Sequence, residues 1–369
     1  MIFLGAGASK PFGIPTLEEF SKEVIDELKT LGHIDVLQRI ENSFKEFEIK
    51  LDFESLYSIL EGLKNPLESV RHAGPLTAYF IGNKMSLPKA DDYTKVLNDL
   101  RKTIYKKCSI DKNGFYKIEE CYNNLFEVTK SNTSEEGLIG RRTQSQNIGR
   151  ILVTTNYDMS LETYFMKKEQ SINDGFRGHS SGVYKTYDPT GLQDPYASQD
   201  HTIMKLHGSI YQFFREGSII KTILDPYSDA FPFKIDVQNE MMIYPTREKD
   251  ILVYPYFSFF EAFKSIRWTK LLVIGYSFRD EPINTAILEN MKYNDKSQLI
   301  IVNPDANKVV ENLYQFVPES LKWQIPKHRL FTFSRMFGTS EVYDYLKRIE
   351  RVSNDQDSTL DPNVFNRAN

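Results

Sequence analysis

Met1-Ile2-Phe3-Leu4-Gly5-Ala6-Gly7-Ala8-Ser9 is the stretch on which the fold class turns. Four apolar residues run straight into a glycine turn, and Gly13-Ile14-Pro15 then leads into an amphipathic segment. Along that segment Leu17, Phe20, Val24, Leu28 and Leu31 recur in steps of 3, 4, 4 and 3, which is the helical period. Thr16 and Glu19 have the spacing of a capping box just past Pro15. A strand, a glycine turn and a firmly started helix are how an α/β protein builds a seat for a nucleotide phosphate. Gly5 and Gly7 let the backbone approach a pyrophosphate and leave amide protons facing it, near the positive end of the helix. Many unrelated activities open this way, so the stretch sets the architecture and leaves the chemistry open.

Outward from it, residues 33–130 keep a helical pattern, with amphipathic segments over Ile34–Phe47, Phe53–Leu63, Tyr93–Tyr105 and Phe115–Val128. Residues 131–147 are polar and rich in breakers, and read as a mobile loop. An α/β rhythm then returns. Strands are expected at Ile151–Thr154, Thr202–Leu206, Met241–Tyr244, Leu271–Ile274, Leu299–Val302 and Leu330–Phe333. Helices are expected over Met159–Met166, Tyr256–Trp268, Glu281–Met291, Lys308–Phe316 and Val342–Ile349. Residues 169–200 show no clear period and read as a lid, a substrate loop or a disordered segment. Short apolar strands separated by helices predict a parallel, doubly wound sheet, in which ligands sit at the carboxyl ends of the strands. The chain divides into an α/β unit of residues 1–32 and 148–350, a helical insertion of 33–147 and a polar C-terminal tail of 351–369.

The bulk composition narrows the classes. At 369 residues the chain fits one large or two moderate domains, and 40% hydrophobic with 26% charged residues supports a substantial core. A net charge of −4 makes no electrostatic case for nucleic-acid binding. The apolar runs are too short to span a bilayer, and the start lacks a basic leader. Two cysteines, Cys108 and Cys121, can form neither a four-cysteine zinc site nor a disulfide framework, and point to a reducing, cytoplasmic setting.

The chemistry is carried by polar residues that follow strands. A hydride-transferring dinucleotide fold wants a third glycine at position 10, where Lys10 stands, and an acid about 20 residues on after a second strand, where this sequence is helical. Thr154-Thr155-Asn156-Tyr157-Asp158 places a carboxamide and a carboxylate after a strand; they either orient a ribose, an amide or a water, or simply cap the next helix. In Lys205-Leu206-His207-Gly208-Ser209 the imidazole of His207 sits on a turn, and is either a general base or a structural histidine. Lys205 reads as a solvated or edge residue. In Gly275-Tyr276-Ser277-Phe278-Arg279-Asp280, Ser277 can cap a phosphate or ribose, while Arg279 and Asp280 can pair with each other. Asn303 either bonds an adenosine ribose or forms a turn before Pro304.

Taken in order, Gly-Ala-Gly-Ala-Ser with Gly-Ile-Pro, Thr-Asn-Tyr-Asp, Leu-His-Gly-Ser and Gly-Tyr-Ser-Phe, the chain resembles the sirtuin-like superfamily over roughly residues 1–30 and 148–350. It looks most like the bacterial sirtuin-like NAD-hydrolase branch of antiphage defence. The resemblance implies a Rossmann-like fold with a large helical insertion and NAD⁺ bound as substrate, with no metal. It places Asn156 and Asp158 beside the nicotinamide ribose and makes His207 the general base. The pyrophosphate falls to the loop Gly5, Ala6, Gly7 and Ser9, and the adenosine side to Gly275, Ser277 and Asn303.

Deacylase sirtuins carry a four-cysteine zinc module after the histidine, a Pro-Asp-Phe-Arg segment after Gly-Ile, and a Gln before the Asn. Here no cysteine follows Cys121, Gly13-Ile14-Pro15 continues as Thr16-Leu17-Glu18, and Thr155 stands in place of the Gln. These departures favour hydrolysis of NAD⁺ to ADP-ribose and nicotinamide, which depletes the cell during phage infection, over an NAD-dependent deacylase or ADP-ribosyltransferase. A non-catalytic NAD⁺- or ADP-ribose-sensing module is the third reading. Because such an activity is toxic to its host, control is expected from homo-oligomer assembly or a partner. A HerA-type translocase ATPase is the first candidate, engaging the helical insertion.

Overall fold

A computed structural model describes residues 1–46, 51–64, 90–129, 150–178, 184–192, 200–215, 217–222, 240–242, 256–315, 317–319 and 325–354. Its centre is a parallel sheet of β1 (Ile2–Leu4), β2 (Ile151–Thr154), β3 (Ile172–Asn173), β6 (His201–Lys205), β10 (Lys270–Ile274), β11 (Gln298–Val302) and β12 (Leu330–Phe333), in the order β12-β11-β10-β1-β2-β6-β3. β1 pairs in parallel with both β10 and β2, so the first strand lies at the middle of the sheet, where the strand order reverses.

Alternation along these strands builds two separate cores, because successive side chains leave opposite faces. Phe3, Ile151, Val153, Met204, Leu271, Val273, Leu299 and Ile301 meet Phe259, Phe263, Ile287, Met291 and Leu313 on one face. Ile2, Leu4, Leu152, Ile203, Leu272, Ile274, Ile300 and Val302 meet Ile118, Tyr122, Leu125, Leu161, Phe165, Val342 and Leu346 on the other. Helices therefore cover both faces, and the architecture is the expected Rossmann-like doubly wound sheet with a large helical insertion.

The inserted helices share a third core with helix Leu17–Thr30, which lies outside the 33–147 insertion. Helices Leu17–Thr30, Ile34–Glu46, Phe53–Lys64 and Ala90–Cys108 pack through Phe20, Val24, Leu28, Leu37, Phe44, Leu56, Leu60, Leu97 and Ile104. Tyr157, Ile210 and Tyr211 join this cluster to the strand ends. Helix Lys112–Thr129 packs on the sheet, although it is contiguous in sequence with the inserted helices.

The segment 169–200 corrects the expectation of a structureless lid. It contributes β3 to the parallel sheet and β4 (Phe176–Gly178) and β5 (Tyr184–Tyr187) to a second, antiparallel sheet of order β4-β5-β8-β7-β9. There they join β7 (Gly208–Arg215), β8 (Ser218–Thr222) and β9 (Glu240–Met242), of which β7 and β8 had no expectation at all. Strands this short, with several half-buried positions, have little apolar alternation to detect. Residues 131–147, 179–183 and 193–199 lie outside the described residues. The last helix, Ser340–Asn354, runs four residues into the expected tail, and 355–369 lie outside the described residues. No helix among the described residues is long and apolar enough to cross a membrane.

Candidate functional site

The turns that follow β1, β2, β6 and β10 gather at one end of the sheet, around the central switch point. Its floor is an interlock of glycines. The Gly5 amide donates to the Ile274 carbonyl and the Gly7 amide to the Gly275 carbonyl, each at 2.9 Å, so the β1–β10 pairing continues past the strands into both turns. A Cβ on Gly5 would lie 2.5 Å from Tyr276 Cα, and one on Gly275, whose φ is +64°, would lie 2.4 Å from Ala8 N. The expectation that the Gly5 and Gly7 amides face an anion is thereby corrected: both are engaged by protein carbonyls. Residues Ala6–Ser9 form a single helical turn rather than an open loop. Ala6 is exposed, Gly7 half-buried and Ser9 buried.

Ser9 and Asn156 tie the first turn to the second. Ser9 Oγ donates to Asp158 Oδ2 at 2.7 Å, and Asp158 Oδ1 accepts the Ser160 amide at 2.9 Å. Asp158 thus accepts the amide of the first residue of helix Ser160–Lys167, just ahead of its N-cap position Met159, and holds the Ser9 hydroxyl at once. Asn156 Nδ2 donates to Gly5 O and to Ser9 Oγ, both at 2.9 Å. Because a carbonyl only accepts, this contact fixes the amide orientation, and among the described residues Oδ1 is the atom that Asn156 has left for a ligand. Thr154 supports the turn, its hydroxyl accepting the Asn156 amide and donating to Leu4 O.

His207 stands at the corner where the chain leaves the parallel sheet after β6 and enters β7 through Gly208, at φ +80°. Its Nε2 lies 3.0 Å from Asp280 Oδ2, and the two side chains are only 7% and 4% exposed. β6 and β10 are separated in the sheet by β1 and β2, roughly 14 Å at the usual strand spacing. The segment from Gly275 to Asp280 therefore arches over the strand ends to reach the imidazole. Within it Phe278 is fully buried at φ +53°, a left-handed conformation that is unfavourable for a side chain with a Cβ. The expected Arg279–Asp280 pairing gives way to this contact, with Arg279 at the surface. Burial and the nearby Asp280 carboxylate hold the Tyr276 hydroxyl far above the usual phenol range, so it stays protonated.

Asn303 Nδ2 bonds Tyr276 O at 3.3 Å and its Oδ1 accepts the Asp305 amide at 3.0 Å. It therefore closes a turn and braces the β10 segment. Ser277 is half-buried in the same segment, with its carbonyl held by Asn312 at 2.8 Å. Lys205 is no edge residue: it is 3% exposed, donates to the Asp158 carbonyl and lies 3.4 Å from Glu162. Lys221 pairs with Glu162 at 2.9 Å and with Asp174 at 2.8 Å, completing a buried network of two cations and two anions beneath Asp158. Burial alone would raise the Glu162 carboxyl, but Lys205 and Lys221 bring it to about 2. Burial alone would lower Lys221, yet Asp174 and Glu162 hold it above the usual lysine value.

Asp280 and Glu162 are the residues that sequence reasoning missed. A charged residue in an otherwise apolar strand, as in Thr202-Ile203-Met204-Lys205-Leu206, was the signal for a buried counter-ion. Among the described residues no group of three or more His, Cys, Asp or Glu side chains is arranged to hold a metal ion.

Residues 150–319 match the SIR2-like domain family. The matched residues include Asn156, Asp158, His207, Ser277 and Asn303 but not the Gly5–Ser9 turn. Among solved structures, the chain is similar to a Sir2 homologue with three substitutions in complex with 2'-O-acetyl ADP ribose, at 13% identity and a TM-score of 0.40, covering 96% of this chain and 93% of that one. Two substituted Sir2 homologues in complex with ADP ribose match at 14% identity, with TM-scores of 0.38 and 0.39, each covering 97% of this chain and 94% of the other. No curated protein matches the chain.

Proposed function

We propose that this protein hydrolyses NAD⁺ to ADP-ribose and nicotinamide, and that by depleting NAD⁺ it acts as an effector of antiphage defence. The observation that carries the reading is the placement, after the neighbouring strands β2 and β6, of a carboxamide with its oxygen left over and of a buried imidazole–carboxylate pair. In the reaction the bond from ribose C1' to the nicotinamide nitrogen breaks, and nicotinamide leaves with the electron pair as a neutral amide. Water adds to C1' and its proton passes to a base. Asn156 Oδ1 accepts a hydrogen bond from the attacking water or a ribose hydroxyl, and His207 accepts the proton. Ser9 and Asp158 hold Asn156 in place, so its orientation is set before substrate arrives. Gly5, Gly7 and Gly275 serve by shape, keeping the floor low enough for the pyrophosphate to lie along Ala6 and Ser277 with Asn303 behind. An enzyme that destroys NAD⁺ is toxic to its host and needs restraint. In this reading, self-assembly or a HerA-type translocase ATPase supplies it through the helical insertion of residues 33–147.

The test is release of nicotinamide from NAD⁺ by the full chain, alone and with an added HerA-type translocase ATPase. Asn156→Ala and His207→Ala are each expected to lower the rate about 10²-fold. No nicotinamide under either condition, or wild-type rates in both variants, removes the assignment.

A further inference from the structure

The buried Asp280 is not absorbed by that mechanism as it stands, and its surroundings exclude the two ordinary uses of such a residue. It occupies the N-cap position of helix Glu281–Tyr293, where an aspartate usually bonds the first-turn amides, yet its side chain makes no capping bond. It adjoins Arg279, but Arg279 is exposed while Asp280 is 4% exposed. Its Oδ2 instead lies 3.0 Å from His207 Nε2, reached by a segment that crosses over the ends of β1 and β2 and holds Phe278 at positive φ. A strained crossing that brings a carboxylate to one particular imidazole nitrogen has a chemical consequence. An ionised carboxylate only accepts hydrogen bonds, so the nitrogen it faces must carry a proton. In a neutral imidazole the other nitrogen is then the basic one.

We propose that Asp280 is the positioning residue of His207: it accepts a hydrogen bond from Nε2–H and so fixes the tautomer in which Nδ1 is the proton acceptor of the reaction. The inference rests on the hydrolase reading for its reaction, but not for its structural content. When water adds to ribose C1', the proton it releases goes to Nδ1, and the imidazolium so formed keeps its Nε2–H bond to the Asp280 carboxylate. Asp280 itself gains no proton and touches no reacting atom. The carboxylate stabilises the positive ring through a charge-assisted bond in a dry setting, so its influence falls on the chemical step and not on substrate binding.

The experiment has a spectroscopic arm and a kinetic arm. Nitrogen-15 labelling of the six histidines in the full chain, with His207 assigned by the signal lost in His207→Gln, reads which ring nitrogen is protonated. In the wild type, Nε2 is expected to show the protonated shift and Nδ1 the unprotonated one, and Asp280→Asn is expected to shift population to the other tautomer. Kinetically, Asp280→Asn is expected to lower kcat about 10²-fold with KM for NAD⁺ within about twofold. If Asp280→Asn does not fold, the wild-type spectrum still decides. A proton on His207 Nδ1 in the wild type, or an Asp280→Asn variant with kcat within twofold of wild type, overturns the proposal. A wild type that releases no nicotinamide removes the hydrolase reading alone, and the tautomer measurement then decides the role of Asp280 by itself.

Discussion

The Glu162 network and the His207–Asp280 pair are both buried ionic groups near the same strand ends, yet they are built for different ends. In the network, Glu162 and Asp174 are matched by Lys205 and Lys221, and the members bond one another, the Asp158 carbonyl and the Phe176 amide. It joins the helix after β2 to strands of both sheets, and two of its groups are moved further from neutrality: the Glu162 carboxyl lies at about 2 and Lys221 is shifted upward. The pair at His207 has one imidazole and one carboxylate, the combination that can move a proton near neutral pH. Satisfied networks of fixed charge make a scaffold; an imidazole oriented by a carboxylate is suited to proton transfer.

That contrast is exposed to experiment. Glu162→Gln leaves Lys205 and Lys221 buried with one carboxylate between them, and is expected to cost about 3–5 kcal/mol in denaturant unfolding. Because the Glu162 carboxyl is depressed to about 2 from 4.5, its contribution is complete above pH 4.5 and is lost as pH falls through about 2. Melting curves across that window should show the slope in the wild type and a weaker one in the variant. If Glu162→Gln instead removes NAD⁺ cleavage from a stably folded chain, the division between scaffold and proton-transfer group is wrong.

Gly275→Ala tests the floor on which both groups depend. The new Cβ would meet the Ala8 and Gly7 backbones at 2.4 Å with φ at +64°, and the expected loss is about 3 kcal/mol, read by the same unfolding titration. A surface ionic group sets the lower bound. Glu19 accepts from Lys10 at 2.7 Å and from the Thr16 amide at 3.0 Å, and these bonds bring its carboxyl to about 2. It is exposed, so Glu19→Gln should cost no more than about 1 kcal/mol and leave the rate of nicotinamide release unchanged.

Much of the fold could be read from local pattern. Apolar runs such as Leu271–Ile274 and Leu299–Val302 gave their strands to within a residue, and the steps of Leu17, Phe20, Val24 and Leu28 gave a helix that starts at the expected cap. The antiparallel strands were harder, because Tyr184–Tyr187 is half-buried along its length and lacks the contrast that alternation needs. Of the site, Asn156, Asp158 and His207 were visible as polar residues after strands, and the structure brings the first two into one network through Ser9. The Gly5 and Gly7 amides were misread, since a glycine turn made for an anion and one made for a close backbone crossing look alike in one dimension.

The order of strands and helices, the glycine turns and the residue types at each strand end are properties of short stretches, and the sequence determined them by itself. Which of three cores each helix joined, that Lys205 is buried, and that Asp280 serves His207 and not Arg279 or its own helix were decided only in the tertiary structure. The reason is separation along the chain: His207 and Asp280 lie 73 residues apart, and only the parallel packing of β6, β2, β1 and β10 carries the β10 turn across to the imidazole.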